Sequence, residues 1–230
     1  MILRKLLPVI IFFCLPPAWA MELSITGRAL EGYVALEYNR SFAWCGELSS
    51  IGSVKFNNRC AFRSGISFGR TEVDTDIKTF TGIQVDPVKE QPLHVSAAYI
   101  YNGMPLYKTH SHTIMPLVSC STKRAGIAIG TGFRFTRFFD APVLFESVVS
   151  FSGFFNFISR ETLDIGVSCA NFGDFYAGNL GAYSFGLNSA VHANRQFSII
   201  NRIRLMQSGS IALSANFYGI AWQSGLQYTW

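Results

Sequence analysis

Thr109-His110-Ser111-His112 is the densest run of candidate nucleophiles and bases in this chain of 230 residues. On an extended backbone His110 and His112 share one face, and Thr109 and Ser111 the other. Ser beside His suits acyl transfer, but that chemistry also needs a carboxylate to orient the imidazole, and no acid stands near this run in sequence. Two alternating His begin a metal chelate that lacks a third ligand. The run therefore reads as a polar lumen-facing or loop segment. His94 and His192 stand alone in the sequence, and neither marks a site. Asp74-x-Asp76 starts like a calcium loop but lacks the Gly and terminal Glu that should follow. No Cys-x-x-Cys or Cys/His spacing suggests zinc. The residues give no reason to expect an enzyme, a cofactor or a metal.

A second set of polar residues is ordered by period. In Ala125–Arg137, Ile127, Ile129, Phe133 and Phe135 alternate with Gly126, Ala128, Gly130, Gly132 and Arg134. In Val143–Phe157, Val143, Phe145, Val149, Phe151, Phe155 and Phe157 alternate with Glu146, Ser150, Ser152 and Asn156. Leu163, Ile165 and Val167 oppose Asp164, Gly166 and Ser168, and Phe197, Ile199, Ile203 and Leu205 oppose Ser198, Arg202 and Arg204. Such alternation predicts strands with one lipid-like face and one small, polar face. A charge facing the middle of a bilayer costs roughly 2–4 kcal/mol for Arg or Lys. Arg134, Glu146, Asp164, Arg202 and Arg204 are thus candidate lumen-facing charges, with Arg134 opposite Glu146 if the turn centres on Asp140.

Composition agrees. The chain is 49% hydrophobic and 14% charged, where soluble domains carry about 25% charged residues. Yet no apolar run reaches the roughly 18 residues of a membrane helix. Arg4-Lys5, the apolar run Leu6–Leu15, Pro16-Pro17 and Ala18-Trp19-Ala20 read as a secretory signal peptide over residues 1–20, cut after Ala20. The expected mature chain is residues 21–230, and its scattered basic residues offer no nucleic-acid site. Cleavage leaves Cys45, Cys60, Cys120 and Cys169, an even number that suits an oxidising compartment. Cys45 and Cys60 flank one polar stretch and are the candidate disulfide.

Turn signals at Phe139–Pro142, Ser159–Thr162, Phe172–Asp174 and Gln207–Gly209 separate the strands as hairpins do. Parallel strands would need helical crossovers that do not fit. Leu23–Tyr38, Arg59–Arg70, Leu93–Tyr101 and Tyr107–Cys120 also read as strands. Phe42–Asn58 reads as a long loop, and Thr71–Pro92 as a polar segment that could hide a strand at Ile77–Val85. The expected fold is all-β, an antiparallel up-and-down transmembrane barrel with an even number of strands, ten as the best guess within a range of eight to twelve. Twelve would follow from that hidden strand plus a turn near Asn216–Gly219.

The final residues, Gln223 to Trp230, place Leu226, Tyr228 and Trp230 on one face and Gln227 and Thr229 on the other. Gly225, Tyr228 and Trp230 resemble the C-terminal assembly signal of bacterial outer-membrane barrels, and the chain resembles small barrels of the OmpA, OmpX and OmpW type. The resemblance implies an integral place in the outer membrane of a Gram-negative or spirochaete envelope. It implies outer-membrane lipids as surroundings, and the barrel-assembly machinery and periplasmic chaperones as partners during biogenesis. Fold alone does not give function. The expected function is a small passive channel or transport barrel for ions, small solutes or hydrophobic compounds. The alternatives are a non-conducting surface barrel that binds host or envelope partners through loops such as Phe42–Asn58 and, further off, a lipid-modifying barrel enzyme.

Overall fold

Strands whose side chains alternate between two environments can satisfy every backbone group in lipid only by closing on themselves. This chain does so. The structure, a computed structural model, describes residues 28–39, 44–57, 59–70, 75–87, 92–106, 108–177, 182–208 and 216–230. The signal-peptide segment 1–20 lies outside the described residues. The strands are β1 (Arg28–Asn39), β2 (Trp44–Lys55), β3 (Cys60–Arg70), β4 (Thr75–Val85), β5 (Leu93–Met104), β6 (Thr109–Ser121), β7 (Ala125–Phe138), β8 (Leu144–Ser159), β9 (Leu163–Ala170), β10 (Phe172–Gly173), β11 (Tyr176–Ala177), β12 (Ala182–His192), β13 (Phe197–Ser208) and β14 (Asn216–Thr229). All but β10 and β11 join one closed antiparallel barrel, each strand paired with its neighbour in sequence and β1 paired with β14. The β1–β14 seam runs from Ala29↔Thr229 to Asn39↔Gly219, and Trp230 N donates to Arg28 O at 3.1 Å. A strand of 12 residues such as β1 is about 40 Å long. Tilted by about 45°, it spans the apolar band of roughly 25 Å.

The barrel has twelve strands, not ten. Phe42–Asn58 is not a loop, because its larger part forms β2. The polar segment does contain a strand, β4. Both were hard to read because each points a large apolar residue inward: Ile51 is 2% exposed and Phe80 1%. That breaks the contrast between an apolar outside and a polar inside. The chain also makes no turn at Asn216–Gly219, since one strand runs from Asn216 to Thr229.

Large apolar side chains cover the outside, among them Leu30, Val34, Ile127, Ile129, Phe155, Phe157, Leu226 and Trp230. Alternate residues fill the inside. Close approach there requires glycine: a Cβ on Gly126 would come within 2.5 Å of the Phe154 ring, and one on Gly225 would overlap Tyr33, its partner across the seam. One end of the barrel carries Arg28, Trp230 and short turns. Asn57 Oδ1 accepts from Arg59 N and Cys60 N, both at 2.7 Å, and Asn194 Oδ1 accepts from Gln196 N and Phe197 N, which tightens two of these turns. The opposite end carries the remaining connections. The one after β9 turns into the lumen.

Candidate functional site

In a barrel of this size the candidate site is the lumen, because the outside is covered by large apolar side chains. Its central feature is the hairpin β10–β11. Where β9 ends, the Asn171 side chain imitates one more strand residue. Its Oδ1 accepts from Phe151 N at 2.7 Å and its Nδ2 donates to Val149 O at 2.7 Å. The chain then enters the barrel, where Phe172 is 1% exposed. Phe175 meets Phe80 edge-on, with ring centroids 6.5 Å apart. With the amide orientation that satisfies its surroundings, Asn102 donates to Phe175 O at 3.0 Å. Phe172 and Phe175 join Tyr33, Ile51, Phe80, Ala98, Ile100, Met115, Leu117, Ala128 and Ile200 in one apolar cluster across the lumen. Met115 and Ile200 have no exposed surface. This cluster packs into the lumen at this height.

A buried charge network seats the hairpin tip. Arg63 Nη1 donates to Asp174 Oδ1 at 2.5 Å, and Arg63 Nη2 donates to Glu31 Oε2 at 3.2 Å. Tyr33 OH donates to Glu31 Oε2 at 2.5 Å and Gln227 Nε2 to Glu31 Oε1 at 3.2 Å. One guanidinium thus lies between two carboxylates drawn from the wall and the hairpin. Charges this deep persist only when paired and hydrogen-bonded, as these are.

The candidate charges of the sequence all face the lumen, at different heights. Arg202 lies over the Tyr33 ring, 5.4 Å from its centroid, and Nη1 donates to Gln223 Oε1 at 3.2 Å. Among the described residues its Nε and Nη2 have no acceptor, nor does Nδ2 of Asn188 directly opposite. Arg134 and Glu146 stand opposite each other near the end away from the termini, Nη1 to Oε2 at 3.4 Å. Arg204 lies nearer that end, where Lys78 bridges Glu47 Oε2 at 2.7 Å and Asp76 Oδ2 at 2.9 Å. Asp164 faces the terminal-side mouth and meets His192 Nε2 at 2.9 Å. At the same mouth Asp86 accepts from His94 Nδ1 at 2.6 Å. Burial pushes the Asp86 carboxyl up. Hydrogen bonds from His94 and Gln84, with the charges of His94 and Lys55, outweigh that and hold it below its ordinary value.

Several expectations are corrected. Cys45 and Cys60 are not disulfide-bonded and lie at opposite ends of the β2–β3 hairpin, since the antiparallel register that pairs Lys55 with Ala61 puts Cys45 beyond Gly46↔Arg70. Flanking one stretch does not bring two residues together when the stretch is itself a strand. His110 and His112 face outward, because Thr113 and Met115 take the inner positions of β6. Tyr99 OH and His112 Nδ1 are 2.7 Å apart, and the Tyr101 and His112 rings 5.2 Å, so the run belongs to an outer polar-aromatic belt. Phe154, beside the outward Phe155, packs against the inner cluster. His192 is not isolated in space. Phe172–Asp174 is no simple turn but the first half of the inward hairpin. Sequence reasoning missed Glu31, Arg63 and Asp174, whose only shared signal is charge on an otherwise apolar or small-residue stretch. Of the C-terminal residues, Gly225 lies inside against Tyr33, and Tyr228 stacks on Trp230 with centroids 5.6 Å apart.

No family model matches the chain, and no curated protein matches it. Solved structures do. The translocator domain of the autotransporter NalP from Neisseria meningitidis is 11% identical, with 99% of this chain and 94% of that chain covered and a TM-score of 0.58. The KdgM porin in complex with disordered oligogalacturonate is 9% identical, covering 88% and 99%, with a TM-score of 0.59. An outer-membrane channel from Pseudomonas putida F1 is 8% identical, covering 93% and 99%, with a TM-score of 0.56. At these identities the likeness is one of architecture and does not single out barrels of the OmpA, OmpX and OmpW type. The chain has the fold of the outer-membrane β-barrels, a single closed antiparallel cylinder.

Proposed function

We propose that this chain is an integral outer-membrane barrel that works as a passive channel for small hydrophilic solutes, and that the β10–β11 hairpin holds it closed in the arrangement described. One observation carries the reading: twelve strands enclose charged mouths at both ends, and an inserted hairpin packs into the apolar cluster between them. Lys78, Glu47, Asp76, Arg134 and Glu146 ring one mouth, and Lys55, Asp86, Asp164 and His192 the other. Such mouths favour hydrated, polar solutes over hydrophobic ones. The porin and channel architecture of the solved relatives supports this reading. Export by residues 1–20, surrounding outer-membrane lipids, and handling by periplasmic chaperones and the barrel-assembly machinery belong to the same proposal.

A liposome-swelling assay with the refolded chain tests it. Influx of small sugars should exceed that of protein-free liposomes and fall as solute size grows. Correctly folded barrels that admit no solute under any condition would refute a channel. The packed centre, where Met115 and Ile200 are fully buried, favours the second reading in that case, a non-conducting barrel whose contacts are made at its outer connections.

A further inference from the structure

The terminal-side mouth assembles three side chains that the sequence keeps apart. Asp164 lies at the start of β9, His192 at the end of β12 and Ser198 at the start of β13. The ladders gather them: Ala190 pairs with Asp164 across β9–β12, and His192 with Ser198 across β12–β13. All three point into the lumen. His192 Nδ1 is 2.8 Å from Ser198 Oγ, and its Nε2 is 2.9 Å from Asp164 Oδ2. A carboxylate only accepts, so the imidazole hydrogen sits on Nε2 and is donated to Asp164. Nδ1 then offers its lone pair to the Ser198 hydroxyl. The hydroxyl, base and orienting acid are connected as acyl transfer requires, whatever fold carries them. Water reaches the base from the mouth, for the His192 side chain is 28% exposed and Asp164 17%.

We propose that Ser198, His192 and Asp164 form an acyl-transfer site that hydrolyses small carboxylic esters at this mouth. Ser198 Oγ attacks the ester carbonyl carbon while its proton passes to His192 Nδ1. The tetrahedral adduct collapses, the alkoxide leaves with the proton from Nδ1, and the acyl group stays on Ser198. Water then attacks the acyl-serine with His192 again as base, which releases the acid and restores the hydroxyl. Asp164 orients the imidazole and steadies the imidazolium. Gln227 stands directly opposite Ser198 in the β13–β14 ladder, on the same inner face. Its amide donates to Glu31 and has a second N–H, which makes it the neighbouring donor for the carbonyl oxygen.

The test uses the full chain refolded in detergent, with a fluorophosphonate probe and p-nitrophenyl acetate. The expected result is a phosphonyl adduct that mass spectrometry maps to Ser198, absent in Ser198→Ala. Ester hydrolysis should fall about 100-fold in His192→Ala, within the range of a positioned base. Heat-modifiable gel migration reports folding in each variant. If His192→Ala does not fold, Ser198→Ala, which removes one oxygen, still decides. A folded chain without an adduct at Ser198, or a Ser198→Ala variant that hydrolyses the ester as fast as the parent, would overturn the site. Neither result bears on solute passage, so the channel reading stands or falls separately.

Discussion

Asp174→Asn isolates the latch on the inward hairpin. Withdrawing the hairpin exposes the Phe172 and Phe175 rings, at about 1.5–3 kcal/mol each. It also frees the backbone of Phe172–Ala177, which returns about 1 kcal/mol per residue. These two amounts are of similar size, so the Arg63–Asp174 pair tips the balance. Both partners are buried, with side chains 3% and 7% exposed, and the contact is 2.5 Å. Removing one partner of such a pair costs about 3–5 kcal/mol. Arg63 keeps Glu31 at 3.2 Å, so the lower end applies. About 3 kcal/mol corresponds to roughly a 150-fold rise in the open fraction, taking 1.4 kcal/mol per factor of ten. In planar-bilayer recordings the variant should open far more often than the parent, with the same step size. Opening at the parental frequency in a correctly folded Asp174→Asn barrel would refute the latch.

Other perturbations follow from the same geometry. The Arg134–Glu146 pair is half open to water, so a double-mutant cycle should give a coupling below about 1 kcal/mol. Gly225→Val should lower the folded fraction on heat-modifiable gels, because any Cβ there meets the Tyr33 ring, and Tyr33→Ala should restore part of it. Asp86 has a lowered folded value against an ordinary 3.8. Its stabilisation is therefore complete above that ordinary value and disappears as pH falls through the lower folded one. Urea midpoints of the parent should drop across that acid window, and Asp86→Asn should flatten the drop while lowering the midpoint at neutral pH. Cys45 and Cys60 should both react with a maleimide in the denatured, unreduced chain, and a link between them would contradict the register of β2 and β3.

What was legible in the sequence was whatever obeyed a period of two with a clean contrast of faces. In β7, β8, β9 and β13, inward Gly, Ser and Arg against outward Ile, Phe and Leu showed the strands and also which way Arg134, Glu146, Asp164, Arg202 and Arg204 point, while β12 (Ala182–His192) went unread. The contrast fails at the inner apolar cluster. Ile51, Phe80, Ile100 and Met115 point inward into the cluster that also holds Phe172 and Phe175 of the hairpin, and a single sequence cannot show what an inner side chain will face. The hairpin itself has the composition of an ordinary turn, and its entry into the lumen is fixed by long-range partners, Arg63 and Asn102. The same limit hid the Asp164, His192 and Ser198 group, since adjacency across β9, β12 and β13 arises only once the ladder register is set.

The most direct measurement is single-channel recording of a barrel in which Phe172–Ala177 is replaced by a short glycine-serine linker, beside the parent chain. The account predicts long-lived, discrete conductance steps from the shortened barrel and rare openings from the parent. A folded, shortened barrel that stays silent would mean that the inner wall closes the lumen without the hairpin, and the channel proposal would fail.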